Sequence, residues 1–523
     1  MSRKRPHART VEASPEPRLS TDSSILPKRG AAPARRAEVF ASGRSGGTRW
    51  KPGARAGIVA VAILLGLATS RLDLIPLLVG VATLLPLASH VRWVGLRRAI
   101  TEPSVVTIIV FFYLSVFPQR GLAITLNDFA DVRFALTAAD ADLAWALLLA
   151  SLGTTALVEA FHFVETRGGT RAFEEPARRS GTRFGVVPLA ILLGALTLLA
   201  LVALLLENGG LAGAQSAFLS HSKSDALEAR SFALSLWSTA AVPAVWCATY
   251  AALAARKRTV RVSFMIVAVV IVLAMVIVFG SRLDALLALA GAWVVLHYNR
   301  RTVPVWAVLA SAALIVLISV PIVSQRDGGQ VTGLSAYEKY SRIASYGVLD
   351  ASLAVQESPG DLRRKLTDRD RWLALPLYLV PSSLWPGKPS IDTVRMDVLV
   401  AQSIGTTNQQ DTGFPTSYVT ELWLYGGWPA VLLASIGLGA LLGALHRTLV
   451  GPHSTRAKPA ALLWYCVVVL AGFSYYKDGD LLMTAVGSGR TAIYLGGAML
   501  ITGAWTPFAD RGAERRQLAR AAV

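Results

Sequence analysis

Between Val262 and His297 the chain has only two charged side chains, Arg282 and Asp284, near the middle of an otherwise apolar run. Similar apolar blocks recur along the sequence, each roughly 18–25 residues long, the length a helix needs to cross a bilayer. The blocks lack the period-two alternation of a membrane β-barrel, and in lipid only helices or closed barrels satisfy their own backbone polar groups. The expected fold class is therefore all-α, a polytopic transmembrane helical bundle. Composition agrees: 53% of the 523 residues are hydrophobic, 16% are charged, and mean hydropathy is +0.48.

Twelve spans are predicted near 56–71, 73–91, 104–118, 141–164, 184–206, 231–254, 262–280, 283–298, 302–323, 422–446, 460–476 and 482–505. The net charge of +19 would suggest nucleic acid in a soluble protein. Here the positions of the charges give another reading. Residues 1–55 hold thirteen Lys/Arg and four acids, with no apolar period, and read as a disordered basic tail. That tail, alternate loops and the basic tail 506–523 together carry 34 of the 52 Lys/Arg. Positive residues favour the cytoplasmic side, so both termini are expected there. The chain then divides into 56–323 with spans one to nine, a large outer loop 324–421, and 422–505 with spans ten to twelve. Leu334–Val355 and Trp372–Leu384 look helix-like within that loop, the second as an interfacial segment. No internal repeat is visible, which speaks against an inverted-repeat transporter.

Three stretches could carry chemistry. In VIVFGSRLDALLALA (276–290), charge alternation splits the apolar run, so Gly280 permits a tight outer turn and Ser281 is placed to cap the next helix. Arg282 then sits in a first helical turn, where free N–H groups and a guanidinium fork suit an anion. The plainer reading is a hairpin end with Arg282 snorkelling to water and Asp284 compensating the helix dipole. In VPSSLWPGKPSID (380–392), three prolines and a glycine stiffen a turn that places Trp385 at an interface and holds Lys388, as a phosphate ligand or as a solvated lysine. In DTGFPTSYVTELWLYGGW (411–428), Glu421 falls among Tyr418, Trp423 and Tyr425 at a membrane mouth. It reads as a general base or as a helix-capping acid.

Other residues are weaker candidates. Arg326 opens the large loop and Arg342 lies on its helix-like part; His221 is in another outer loop. Arg490 lies inside the last span, where a charge costs about 2.5–3.5 kcal/mol unless paired; Asp478 and Asp480 are the nearby partners. Glu159 and His162 are expected at headgroup level. Gly437, Gly439 and Gly443 give a small-residue packing face. Cys247 and Cys466 read as core hydrophobes with no disulfide framework. The sequence has no Walker A loop, no H-E-x-x-H and no Cys/His cluster, so ATP hydrolysis and zinc chemistry have no sequence support.

Taken in order, the Gly-Ser-Arg turn, the Trp-Pro-x-Lys-Pro stretch and the Glu-x-x-x-x-Gly-Gly start of a late span resemble the O-antigen and exopolysaccharide repeat-unit polymerases (the Wzy-type family). The resemblance covers roughly 184–446. The family often has Pro-Arg just before the Trp-Pro stretch; this chain has Pro381-Ser382, so any phosphate contact there must come from elsewhere, such as Arg371 or Arg395.

The resemblance implies glycosyl transfer on the outer side of a bacterial inner membrane, from a polyprenyl-diphosphate-linked glycan to a lipid-linked repeat unit. Arg282, Lys388 and Arg326 would hold the diphosphate, and Glu421, Asp411 or His221 would take the acceptor proton. Trp385, Arg342, Asp392 and Tyr418 would contact sugar or shape the loop. No metal or other cofactor is expected, nor a nucleic-acid partner; a chain-length regulator is an expected partner. The rival readings are a glycan ligase, a polyprenyl-phosphate-sugar transferase with Asp128 and Asp131 as its acidic pair, and a lipid-glycan flippase.

Overall fold

The computed structural model describes residues 75–126, 140–167, 185–219, 232–299, 417–450 and 459–504, with short pieces or single positions between 306 and 399. All of them belong to the unit Val59–Val523. Among the described residues every regular element is a helix. In chain order these are α1 (Ile75–Val94), α2 (Leu96–Thr101), α3 (Val105–Leu126), α4 (Asp140–Arg167), α5 (Val186–Glu207) and α6 (Leu211–Leu219). Then follow α7 (Phe232–Ala254), α8 (Arg258–Ile277), α9 (Arg282–Tyr298), α10 (Leu375–Leu379), α11 (Ser417–Leu449), α12 (Pro459–Asp478) and α13 (Leu481–Ile501).

Ten of the twelve predicted spans coincide with one of these helices. The first lies outside the described residues, and the ninth is described at only a few positions. Among the described residues six helices are long and apolar enough to cross a membrane: α4, α5, α7, α8, α11 and α12. Val105–Ser115 in α3 and Leu283–Tyr298 in α9 are shorter apolar stretches. The last predicted span forms α13, but Thr484, Ser488, Arg490 and its glycines keep it out of the six.

Helix ends meet as an up-and-down order requires. At one end His90 of α1 meets His162 of α4, and the Val105 N–H of α3 donates to Tyr465 of α12 at 3.0 Å. Tyr298 of α9 meets His446 of α11 at this same end. At the other end Gln215 of α6 donates to the carbonyl of Ile277, and Glu421 of α11 accepts from the N–H of Leu481. The first set are all ends that charge alternation assigns to the cytoplasm; the second set are all ends it assigns outside.

Helix α7 is buried along most of its length and packs among α5, α8 and α9. Its Trp246 is 1% exposed and lies over Gly291 of α9, where any side chain would strike the indole. By contrast α5, α8 and α11 present outward faces of large apolar residues, among them Leu199, Leu206, Ile266, Val269, Leu433 and Leu441. Soluble monomers rarely expose continuous apolar faces of this kind, whereas a lipid-facing helix requires them. With the six apolar helices, they mark a membrane protein.

The backbones of α4 and α11 come into contact. A Cβ on Gly439 would lie 2.2 Å from the Leu157 carbonyl oxygen, and one on Gly443 2.5 Å from that of Phe161. These two glycines let the backbones touch, as small residues four apart do between membrane helices. Gly437, expected on the same face, has open space around it and does not belong to this seam.

Candidate functional site

The predicted turn between the seventh and eighth spans is present. Gly280 has φ of 60°, a left-handed conformation that a Cβ disfavours, and α9 starts at Arg282. Neither charge is at mid-span, because the run is two helices. Ser281 occupies the N-cap position, but its hydroxyl donates to the Asp284 carboxylate and accepts no backbone N–H. Asp284 thus supports the helix start through Ser281.

Lys388, Arg326, Arg342, Asp392 and Asp411 lie outside the described residues, as do His221, Arg371, Asp128 and Asp131. Trp385 is half exposed.

Glu421 is at the end of the bundle predicted to face outward, but inside the first turns of α11, with its side chain fully buried. Its Oε1 accepts from the Tyr425 hydroxyl at 3.0 Å and its Oε2 from the Leu481 N–H, the first of α13, at 3.1 Å. The Tyr475 hydroxyl packs against the same carboxylate. The capping reading therefore holds in a changed form: the acid caps α13 rather than its own helix. One turn beyond, α11 breaks. Gly427 has φ of 65° and Gly426 is non-helical, and Pro429 supplies no N–H to bridge the gap. The short helix carrying Glu421 is thus set apart from the apolar remainder of α11.

Three parts of the segment 324–416 attach around this acid. Arg363 donates to the carbonyl of Tyr425 at 3.1 Å. The N–H of Met396 donates to Asp480 at 2.8 Å, and Asp480 also caps α13 by accepting from the Met483 N–H at 3.0 Å. Helix α10 lies against α13, with Tyr378 buried on Leu482 and Val486. Replacing Asp480 with Ala removes a cap and orphans a buried N–H, and is expected to cost about 1–3 kcal/mol. Asn keeps an acceptor oxygen and should recover most of that loss in thermal unfolding of the purified protein.

Arg490 does not pair with either aspartate. It donates to the carbonyl of Tyr378 at 2.6 Å, while Asp478 bonds Lys477 at 2.5 Å. One Nη of Arg490 is thus met by the end of α10, while its buried Nε has no hydrogen-bond partner. Tyr418 also departs from expectation. It is fully buried beneath the rim, its ring tilted on Tyr476 and its hydroxyl accepting from Ser435 at 3.2 Å. That position makes it a packing residue and leaves no face open to a sugar.

The opposite end of the bundle holds a polar cluster that no local motif announces. Glu159, with its side chain 27% exposed, accepts from Arg92 at 2.6 Å, Trp93 at 2.8 Å, and Ser89. His162 is buried between His90 and Glu165. Arg98 bonds both oxygens of Glu102. Burial opposes the charge of Arg98, but the Glu102 carboxylate outweighs it and holds the guanidinium above its ordinary value. Glu102, Glu165 and His446 bring ligand-type atoms within 4.8 Å of one another. Cys247 and Cys466 are buried free thiols, as expected.

No protein-family model, curated protein or solved structure matches this chain.

Proposed function

We propose that the protein is a polysaccharide polymerase of the inner membrane of a bacterium, with twelve spans and both termini in the cytoplasm. It would join polyprenyl-diphosphate-linked oligosaccharide repeat units at the outer face. The observation that carries this reading is the convergence of the long polar segment on one acid. Arg363 and Met396 attach to the rim around Glu421, beside the break in α11, and α10 lies along α13 from Leu482 to Arg490. Charged side chains at the two ends of the bundle rather than along its length suit chemistry at an interface better than passage through the bundle.

In the proposed reaction the glycosyl C1–O bond to the diphosphate of the donor breaks as C1 bonds the acceptor hydroxyl oxygen. The hydroxyl proton passes to Glu421, and the polyprenyl diphosphate leaves as an anion. Tyr425 and Leu481 hold the Glu421 carboxylate with its lone pairs as acceptors, the state a base needs. Hinging at Gly426 and Gly427 gives the acceptor access to the buried acid. Arg282, Lys388 and Arg326 hold the diphosphate and stabilise the charge that develops on it. Asp411 is the alternative base, and Trp385, Arg342 and Asp392 would contact sugar or shape the loop.

The test is the lipid-linked pool in cells carrying Arg282→Ala or Lys388→Ala at normal expression. Polymer should shorten or vanish while single repeat units accumulate on lipid. Wild-type polymer in both variants removes the phosphate role. Long polymer accumulating on lipid in cells lacking the protein would make it a ligase instead.

A further inference from the structure

The buried cluster at the end opposite Glu421 has a hydrogen-bond order that can be followed atom by atom. His162 Nδ1 faces Glu165 Oε2 at 3.0 Å, and a carboxylate accepts, so Nδ1 carries the proton. His162 Nε2 is then an acceptor and takes the proton of His90 Nδ1 at 2.8 Å. His90 Nε2 accepts in turn from Thr107 at 3.1 Å. Each ring nitrogen of His162 and His90 therefore has a hydrogen-bond partner on this side.

The other side does not close in the same way. Tyr298 has one proton and two acceptors in reach, Glu102 Oε1 at 3.3 Å and His446 Nε2 at 3.1 Å; when the carboxylate takes it, the Tyr298 oxygen accepts from His446 Nε2. Neutral His446 is then left with a bare lone pair on Nδ1. That atom is buried, has no hydrogen-bond partner, and stands 3.6 Å from Glu165 Oε1. Two lone pairs face each other in a dry interior, which is unfavourable unless something positive lies between them.

A proton is one answer, but 3.6 Å is too long for an N–H···O hydrogen bond. A shared cation is the other. Two ligands each about 2.1 Å from one ion at a near-tetrahedral angle stand about 3.4 Å apart. The separation here is close to that value. Glu102, whose oxygens also accept from Arg98 and Tyr298, supplies the third ligand atom within the 4.8 Å group through a remaining lone pair. The charges agree as well. Two carboxylates, Glu102 and Glu165, face one guanidinium, Arg98, whose Nη2 is 4.0 Å from Glu165. Glu159 is taken by Arg92. Carboxylates thus outnumber guanidinium groups at this spot.

We propose that His446, Glu165 and Glu102 form a binding site for a divalent transition-metal ion such as Zn2+ or Mn2+. An imidazole with two carboxylates is a donor set for such ions and not for Mg2+ or Ca2+, which take oxygen ligands. The site clamps three elements: the α2–α3 junction through Glu102, α4 through Glu165 and α11 through His446. Tyr298 brings α9 to it as the outer partner of the imidazole. Its role is structural, since it lies at the far end of α11 from Glu421, and it stands or falls independently of the glycan reading.

The test uses the full chain, purified in detergent without a histidine tag, stripped with chelator and dialysed against Zn2+ or Mn2+. Wild-type protein should bind about one ion per chain, with an unfolding temperature that rises with free ion. His446→Gln and Glu165→Gln should each weaken binding by more than about tenfold. Glu207→Gln, at the other end, should leave it intact. Wild-type protein that binds neither ion overturns the proposal, as does unchanged binding in His446→Gln. Should the variants fail to fold, the wild-type stoichiometry and its thermal shift decide alone.

Discussion

Glu421→Gln is expected to lower polymer formation by about 10²–10⁴-fold, the usual contribution of a general base, while the protein accumulates in membranes at its normal level. The change is nearly isosteric. The amide oxygen can still accept from the Leu481 N–H, so the start of α13 keeps its cap, and the Tyr425 hydroxyl can still pair. What is lost is basicity. Single repeat units on polyprenyl diphosphate should accumulate as polymer falls. A purely structural Glu421 gives a different pattern: Gln would retain activity within a few-fold, and only Glu421→Ala, which uncaps α13, would fail, with a matching loss of folded protein. Comparing lipid-linked species and membrane protein level in the two variants separates these outcomes.

Gly439→Val should be the most disruptive single change to the fold among those considered. Even a Cβ at this position meets the Leu157 carbonyl oxygen at 2.2 Å, and the obstacle is backbone, so no side chain can swing aside. Relief requires α11 to move off α4 along its closest seam, which also opens the pocket that Tyr418 and Ser435 fill. Overpacking commonly costs about 1–3 kcal/mol. A forced separation of two backbones should exceed that and remove most folded protein on size-exclusion chromatography in detergent. Gly437→Ala is the internal contrast. Nothing lies within 4 Å of its Cβ position, and Ala is the better helix former, so it should be neutral or gain up to about 1 kcal/mol.

Those two glycines show where sequence reading succeeds and where it stops. Apolar length and the placement of Arg and Lys located ten helices and the turn at Gly280, because both signals are local to the chain. Which face of α11 meets a neighbour is not local. Gly437 and Gly439 look alike in the sequence and differ only in whether α4 lies opposite. Tyr418 looked like a rim aromatic because its neighbours in sequence are rim residues; Gly153 of α4, 3.1 Å from its hydroxyl at the Cβ position, leaves the space that buries it.

Glu421 was readable as an acid at a helix start, yet its tie to α13 depends on a distant turn. His446, Glu165 and Glu102 are far apart along the chain and fit no ligand spacing. Only the up-and-down order of the helices brings them to one end of the bundle. Isolated polar residues within apolar blocks, such as His162 and His446, were the signal available for that cluster. They cost energy in such blocks and so imply partners there.

Reconstitution tests the central claim most directly. The purified full-length protein is placed in liposomes with polyprenyl-diphosphate-linked repeat units and no other enzyme, and the products are separated by size. We expect glycans longer than one repeat unit, with one polyprenyl diphosphate released for each linkage formed, and neither product with Glu421→Gln. Movement of the lipid-linked unit across the bilayer with no new linkage would contradict the assignment and make the protein a transporter.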